Sequence, residues 1–382
     1  MNQTLLRHSL SISPTLAIVS PYIRPAVDAI PAYIAGKPPK SVPGVTSYKI
    51  SSNENPYETL PEIQEALISS IKQVNRYPDM HSAALTEALA TRFGVSGENL
   101  ALGTGSVGLL QQFVQATCNP VDEVIHAWRS FEAYPIVAAV NGARGVPIAL
   151  QADESHDLNA MLGAINEKTR LILICQPNNP TGVAASEAQL RQFIEQVPSE
   201  ITIVLDEAYV EFITDPAIPD GVRLFHEYSE RENLAILRTF SKAYGLASLR
   251  VGFAISSPKV ASALRKCQVP FGISGMAQAG AIAALECEPQ LLARVDQITS
   301  ERTRVIAGLR AQGWQTPDSQ GNFIWLRLGQ ATPSFTEYCL EHGLSVRGYG
   351  NDGVRVTIGE VPANDRFLEV AGAFFTATNE SK

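Results

Sequence analysis

Six short runs between residues 122 and 256, DEVIHAW, GVPIAL, RLILIC, ITIVLD, LAILRT and VGFAIS, are almost unbroken strings of aliphatic and β-branched side chains. A strand with one wet face alternates apolar and polar residues, so runs this continuous predict strands covered on both faces. Stretches with helical spacing lie between most of them. The reading is an α/β core with helices on both sides of a mostly parallel sheet, and its site is expected at the carboxyl ends of the strands.

Upstream, LPEIQEALISSIKQV and HSAALTEALATRF place apolar residues at helical spacing, with Pro61 suited to a first helical turn. Downstream, PKVASALRKC, GMAQAGAIAALE and LLARVDQITSERTRVIAGLRAQG read as helices, then FIWLRL, LSVRG and GVRVTIG as strands around another helix. A chain of 382 residues is too long for one simple core. Three parts are expected: a Pro/Ser-rich arm over 1–60, a large domain over 61–265 and a smaller α+β domain over 266–382, with the arm packing on the small domain.

Composition narrows the class. Hydrophobic residues make up 45% of the chain and charged residues 18%, ample for a packed body. The formal net charge is −8 with no sustained Lys/Arg block, which argues against a general nucleic-acid binder. No apolar run approaches the ~18 residues that a membrane helix needs. The start MNQTLLRHSLSISPTLAIVS lacks the basic cluster and apolar stretch of a signal peptide. The five cysteines are odd in number and scattered, with no CxxC pair, which suits reduced thiols in a cytoplasmic protein better than a disulfide framework or a zinc site. No metal is expected.

Polar groups cluster after the strands. In QPNNPTG, 176–182, two prolines stiffen a loop that can aim the amide of Asn179 at a ligand; a plain tight turn is the alternative. ITIVLDEAYVEF ends its strand on Asp206, with Tyr209 beyond, and an acid there can cap a helix, bind a metal or pair with a cationic ring nitrogen. GTGSVGLLQQFV runs a Gly/Ser turn into an apolar helix, whose free N–H groups and dipole suit a phosphate, or which is a structural turn alone. WRSFEAYP offers Trp128, Phe131 and Tyr134 as core aromatics or as a stacking face.

RTFSKAYGLASLRVGF sets Lys242 among small and apolar neighbours, with Thr239, Ser241 and Arg250 close in sequence. A lysine in a partly dry pocket beside another cation loses proton affinity and becomes a nucleophile toward an aldehyde. With pyridoxal phosphate as that aldehyde, Asp206 would keep the pyridinium protonated. Ser106, Val107 by its backbone, Ser241 and Arg250 would hold the phosphate, Asn179 and Tyr209 the ring hydroxyl, and Phe131 the ring face.

PAYIAGK, SSNENPY, NRYPD, GTGS, PNNPTG, DEAYVEF, RTFSKAYGLASLRVGF and VRVTIG occur in this order along nearly the whole chain. Together they resemble the fold-type I pyridoxal-phosphate aminotransferases, in the branch of histidinol-phosphate and aromatic amino-acid aminotransferases. The resemblance implies that Lys242 links covalently to the cofactor and later serves as the general base. It implies that Tyr77 reaches the cofactor phosphate of the neighbouring subunit in a homodimer with shared sites. Arg355 would grip the substrate carboxylate with a two-pronged contact, and Tyr33, Asn55 and Arg347 would line the substrate site. The turn Gly105-Ser106-Val107-Gly108 departs from the histidinol-phosphate pattern, and the wording near Trp128 is similar to actinobacterial aromatic (phenylalanine) aminotransferases. The expected reaction is amino transfer between an aromatic amino acid and a 2-oxo acid such as 2-oxoglutarate, with histidinol phosphate as the alternative substrate. A decarboxylase or β-lyase on the same scaffold would keep every cofactor residue. A non-catalytic regulator would carry an added DNA-binding segment, for which residues 1–45 are too short and uncharged.

Overall fold

The computed structural model describes residues 21–30, 39 and 43–380. Its centre is a seven-stranded sheet built from β2 (Leu100–Gly103), β3 (Glu123–Trp128), β4 (Arg144–Ala149), β5 (Thr169–Cys175), β6 (Thr202–Asp206), β7 (Leu234–Thr239) and β8 (Gly252–Ile255). The order across it is β2-β8-β7-β6-β5-β3-β4. All neighbours are parallel except those of β8, which runs against both β7 and β2. The six runs singled out in the sequence are all strands here; β2, with only LALG, has too short a pattern to stand out.

The double cover expected from the continuous runs is visible residue by residue. Along β5, Leu171, Leu173 and Cys175 enter one apolar cluster while Ile172 and Ile174 enter the other. Val204 on β6, Ala235 and Leu237 on β7 and Ala254 on β8 face the first cluster. Ile203, Leu205, Leu234, Ile236, Phe253 and Ile255 face the second. The first face is covered by the helix Gly105–Thr117, which buries Leu109, Leu110, Phe113 and Val114. Side chains alternate along a strand, so only an apolar residue at every position satisfies both covers.

Beyond the sheet, the helix Gly275–Glu286 packs on Pro61–Ile71 and Ala83–Phe93. The long helix Glu288–Ala311 leads to a three-stranded antiparallel sheet of β9 (Phe323–Arg327), β11 (Arg347–Tyr349) and β12 (Gly353–Thr357), ordered β11-β12-β9. A two-residue strand, β1 (Tyr48–Lys49), pairs in parallel with β10 (Leu344–Ser345). Ile50 follows β1 and is fully buried, its carbonyl accepting from the Thr357 N–H. Among the described residues no helix is long and apolar enough to cross a membrane.

Candidate active site

The strand directions gather the polar loops at one edge. Gly252 opens β8 opposite both Gly103, the last residue of β2, and Thr239, the last of β7. The parallel β5 and β6 end at the same edge, on Cys175 and Asp206. A cavity of about 300 Å³ lies there. It is lined by Ser106, Val107, Phe131, Asn179, Asp206, Tyr209, Thr239, Ser241, Lys242 and Arg250 from the sheet side, and by Arg347, Tyr349 and Arg355 from the smaller sheet. A roomier hollow of about 830 Å³ between Ala83–Phe93 and Pro258–Cys267 contains none of the expected site residues.

Lys242 donates from Nζ to the carbonyls of Ser52 and Asn53, both at 3.2 Å. Both acceptors are neutral, so nothing in these contacts fixes the lysine as a cation. Burial, and after it the charge of Arg355, bring its pKa down from 10.5 to about 7, with Glu54 opposing and Arg250 adding a little. The cation that matters most is therefore Arg355, brought in from the smaller sheet, rather than the sequence neighbour Arg250. A lysine titrating near neutrality keeps a large fraction of free amine, the form that attacks a carbonyl or takes a proton.

Asp206 is 2% exposed. Its Oδ2 accepts from the Tyr134 hydroxyl at 2.8 Å, and its Oδ1 has no partner among the described residues. Burial pushes its pKa up to about 6, held back by Tyr134 and the Ala208 N–H. A buried carboxylate oxygen without a donor is costly unless a ligand supplies one. A flat heterocycle with a protonated ring nitrogen meets that need.

At the other end of the cavity the first turn of Gly105–Thr117 presents free N–H groups beside Ser106, Ser241 and Arg250. The Thr239 hydroxyl donates to Ser241 Oγ at 3.0 Å, and Arg250 Nη1 donates to the same oxygen at 3.3 Å. Two glycines make this cradle close. A Cβ on Gly105, at φ +74°, would lie within 3.0 Å of the Arg250 guanidinium, and one on Gly252 would stand 2.9 Å from the Ser106 nitrogen. Helix dipole, hydroxyls and a guanidinium together suit a phosphate. The residues present therefore fit pyridoxal phosphate at both ends of the cavity.

Between these ends, the Tyr209 hydroxyl accepts from Asn53 Nδ2 at 2.9 Å and from Asn179 Nδ2 at 3.4 Å. Asn179 Oδ1 in turn accepts from Arg355 Nη1 at 2.6 Å. Arg355 also donates to the Ser51 carbonyl at 2.7 Å, while its Nε has no partner among the described residues. Both of its acceptors are neutral, so its positive charge stays uncompensated by them.

Not every position named in the sequence reading lines this cavity. Asn55 does not line the cavity; its amide donates to the Ala243 carbonyl at 3.1 Å and so steadies the loop carrying Lys242. Tyr77 is 82% exposed, its ring 4.6 Å from that of Phe271, and it stays outside this chain's own cavity. Gly108 packs against Thr104, and Trp128 lies beneath the Arg129 guanidinium at 4.4 Å, both outside the cavity lining. Tyr33 lies outside the described residues. Three side chains escaped sequence reasoning in their present roles: Asn53, Tyr134 and Glu132. All three lie in motifs that were noticed, SSNENPY and WRSFEAYP, but the partner of each is distant in sequence.

The fold and this cavity bring together residues that fit a phosphorylated aldehyde cofactor beside a lysine whose pKa is lowered to about 7. Comparison with known proteins agrees. The family model for aminotransferases of class I and II matches residues 46–370, and the chain belongs to that family and is a transaminase. It is 54% identical over 355 residues to the aromatic amino acid aminotransferase of Streptomyces avermitilis, covering 93% of this chain and 98% of that one. The protein of the same name from Thermobifida fusca is 49% identical over 93% of this chain and 97% of its own. Among solved structures, histidinol-phosphate aminotransferase from Sinorhizobium meliloti in complex with pyridoxal-5'-phosphate superposes with a TM-score of 0.83 at 25% identity, over 95% of this chain and 100% of that one. The histidinol-phosphate aminotransferase of Clostridium acetobutylicum shares the fold, with a TM-score of 0.78 at 22% identity over 86% of this chain and 99% of that one.

Proposed function

We propose that this protein is a pyridoxal-phosphate-dependent aminotransferase that moves the amino group between an aromatic amino acid and a 2-oxo acid such as 2-oxoglutarate. The observation that carries the cofactor reading is the pairing, across one cavity, of a lysine titrating near 7 with a buried aspartate whose outer oxygen lacks a donor. The aromatic substrate is supported by the names of relatives that are about half identical to this chain over nearly their full lengths.

When bound, pyridoxal phosphate supplies an electron sink that weakens the bonds at the substrate Cα. The chain's own residues do the rest. Asp206 would hold a proton on the ring nitrogen, Asn179 and Tyr209 would hold the ring hydroxyl, and Phe131 would pack on the ring. Ser106, Val107, Thr239, Ser241 and Arg250 anchor the phosphate. Arg355 fixes the substrate carboxylate, which orients the Cα proton toward Lys242. The Lys242 amine, a substantial part of it unprotonated near neutral pH, would take the proton from the substrate Cα.

The active form in this reading is a homodimer in which Tyr77 completes the partner's phosphate site. Support comes from an exposed apolar strip of chain: Ile68 and Ile71 in the last turn of one helix, Val74, Tyr77 and Met80 beyond it, and Phe271 with its ring 4.6 Å from that of Tyr77. A strip of this kind on a monomer calls for a partner. The large cofactor-binding unit and the smaller C-terminal unit, dividing near residue 266, belong to the same proposal.

The test is a side-by-side assay of phenylalanine and histidinol phosphate with 2-oxoglutarate as acceptor. A hundredfold preference for histidinol phosphate would overturn the substrate assignment. Lys242→Ala is expected to abolish turnover and the visible band that the wild type acquires with pyridoxal phosphate; near-normal transamination by that variant would sink the cofactor reading.

A further inference from the structure

Two arginines stand side by side in the cavity, and the chain treats them differently. Arg347 and Arg355 are direct cross-strand partners in the β11–β12 ladder, so their side chains share one face of the sheet. Both guanidinium groups approach the ring of Tyr349, at 5.2 and 5.7 Å. Arg355 meets only neutral acceptors, Asn179 Oδ1 and the Ser51 carbonyl, among the contacts described above. Arg347 instead donates from Nη2 to Glu132 Oε2 at 2.6 Å. Its side chain is 10% exposed, and that of Glu132 is 27% exposed.

Glu132 has an unusual posture for its position. It immediately precedes the helix Ala133–Asn141, and its carboxylate turns away from that helix rather than capping it. It lines the cavity and reaches across 215 positions of sequence to Arg347. The pair is mostly withdrawn from water, where charge interactions are weakly screened.

We propose that Glu132 is a specificity-determining residue: by neutralising Arg347, it leaves the arginine pair with one net positive charge, matched to a substrate that brings a single carboxylate. The inference rests on the reading under Proposed function. An aromatic amino acid places its carboxylate on Arg355 and its uncharged ring in the remaining space, beside Phe131 and Tyr349. A doubly charged group, whether a phosphate or a second carboxylate, meets the Glu132 carboxylate. It binds only by taking that carboxylate's place on Arg347, so a dicarboxylate acceptor is used at a cost in affinity. Exclusion of this sort comes from an introduced repulsion rather than from a new attraction.

The experiment measures binding of two inert probes to the holoenzyme by calorimetry: 3-phenylpropionate, with one carboxylate, and glutarate, with two. In Glu132→Gln, which keeps the shape and removes the charge, the affinity ratio of glutarate to phenylpropionate is expected to rise at least tenfold, and the KM for 2-oxoglutarate to fall. In Arg347→Gln the same ratio is expected to drop at least tenfold, which provides an independent reading should Glu132→Gln fold poorly. A merely structural role would move both probes together. A ratio unchanged within threefold in either folded variant overturns the inference, even with phenylalanine transamination intact. Failure of the wild type to transaminate any aromatic amino acid would instead defeat the proposed function, and the probe ratio would still decide the role of Glu132.

Discussion

Replacing Tyr134 by Phe removes one hydroxyl and nothing else, yet it takes away the only side-chain donor to Asp206 among the described residues. A hydrogen bond to a charged group contributes about 1.5–3 kcal/mol. One pKa unit corresponds to about 1.4 kcal/mol, so the Asp206 pKa should climb by roughly one to two units. Starting from about 6, it would reach roughly 7–8 by that conversion. At pH 7 the ionised fraction then falls from about nine-tenths to between a half and a tenth, which weakens binding of a cofactor needing the carboxylate by roughly two- to tenfold. Stability of the cofactor-free protein shows the same shift with a definite sign. The folded-state pKa lies above the unfolded value near 3.8, so the folded form holds its proton longer and ionisation costs stability as pH rises toward 6. The variant therefore loses the charge-assisted bond at pH 8 but only a neutral one, about 0.5–1.5 kcal/mol, at pH 5. At roughly 2.1 cal/mol/K per residue, a chain of 382 residues has an unfolding entropy of about 0.8 kcal/mol/K. The expected drop in Tm is then roughly 2–4 °C at pH 8 and about 1–2 °C at pH 5. Calorimetric scans at the two pH values, with a pyridoxal phosphate titration at pH 7, check this. Equal Tm shifts at both pH values together with unchanged cofactor affinity would refute the role given to Tyr134.

Further expectations concern other parts of the site and core. Arg355→Lys keeps the charge but loses the fork, so kcat/KM for phenylalanine should fall roughly 10- to 100-fold, and a loss under threefold in steady-state assays would contradict the assignment. Gly105→Ala places a Cβ at φ +74° within 3.0 Å of the Arg250 guanidinium. The left-handed backbone alone costs about 1–2 kcal/mol, and the displaced guanidinium should weaken pyridoxal phosphate binding; a titration matching the wild type would argue against the phosphate cradle. His126 and His156 are buried and their pKa values are lowered by burial, so both keep the neutral form to lower pH in the folded state than in the unfolded one. Unfolded histidine takes up its proton near 6.5, so this stability is complete above that pH and is lost as pH falls below it. His156→Gln should flatten the fall in Tm between pH 7 and 5, and an unaltered slope would show that the acid sensitivity lies elsewhere.

Much of the architecture was legible because it is encoded locally. A strand buried on both faces must be apolar at successive positions, and RLILIC, ITIVLD and LAILRT declare that within a few residues. Since parallel strands end at one edge, the loops after them had to converge, and Lys242, Asp206, Asn179 and Arg250 could be grouped before any coordinates. Nothing local in SSNENPY separates Asn53 from Asn55. Only the fold turns Asn53 toward Tyr209 and Asn55 toward Ala243.

By itself, then, the sequence determined the layered α/β body and the set of loops that meet at its edge. The tertiary structure decided the electrostatics: Arg355 lowering the Lys242 pKa, Tyr134 holding Asp206, and Glu132 cancelling the charge of Arg347. Each of these pairs joins segments far apart in the chain. Periodicity reports which face of its own element a residue occupies, whereas charge coupling depends on separation in space, which sheet order and the docking of the smaller sheet alone establish.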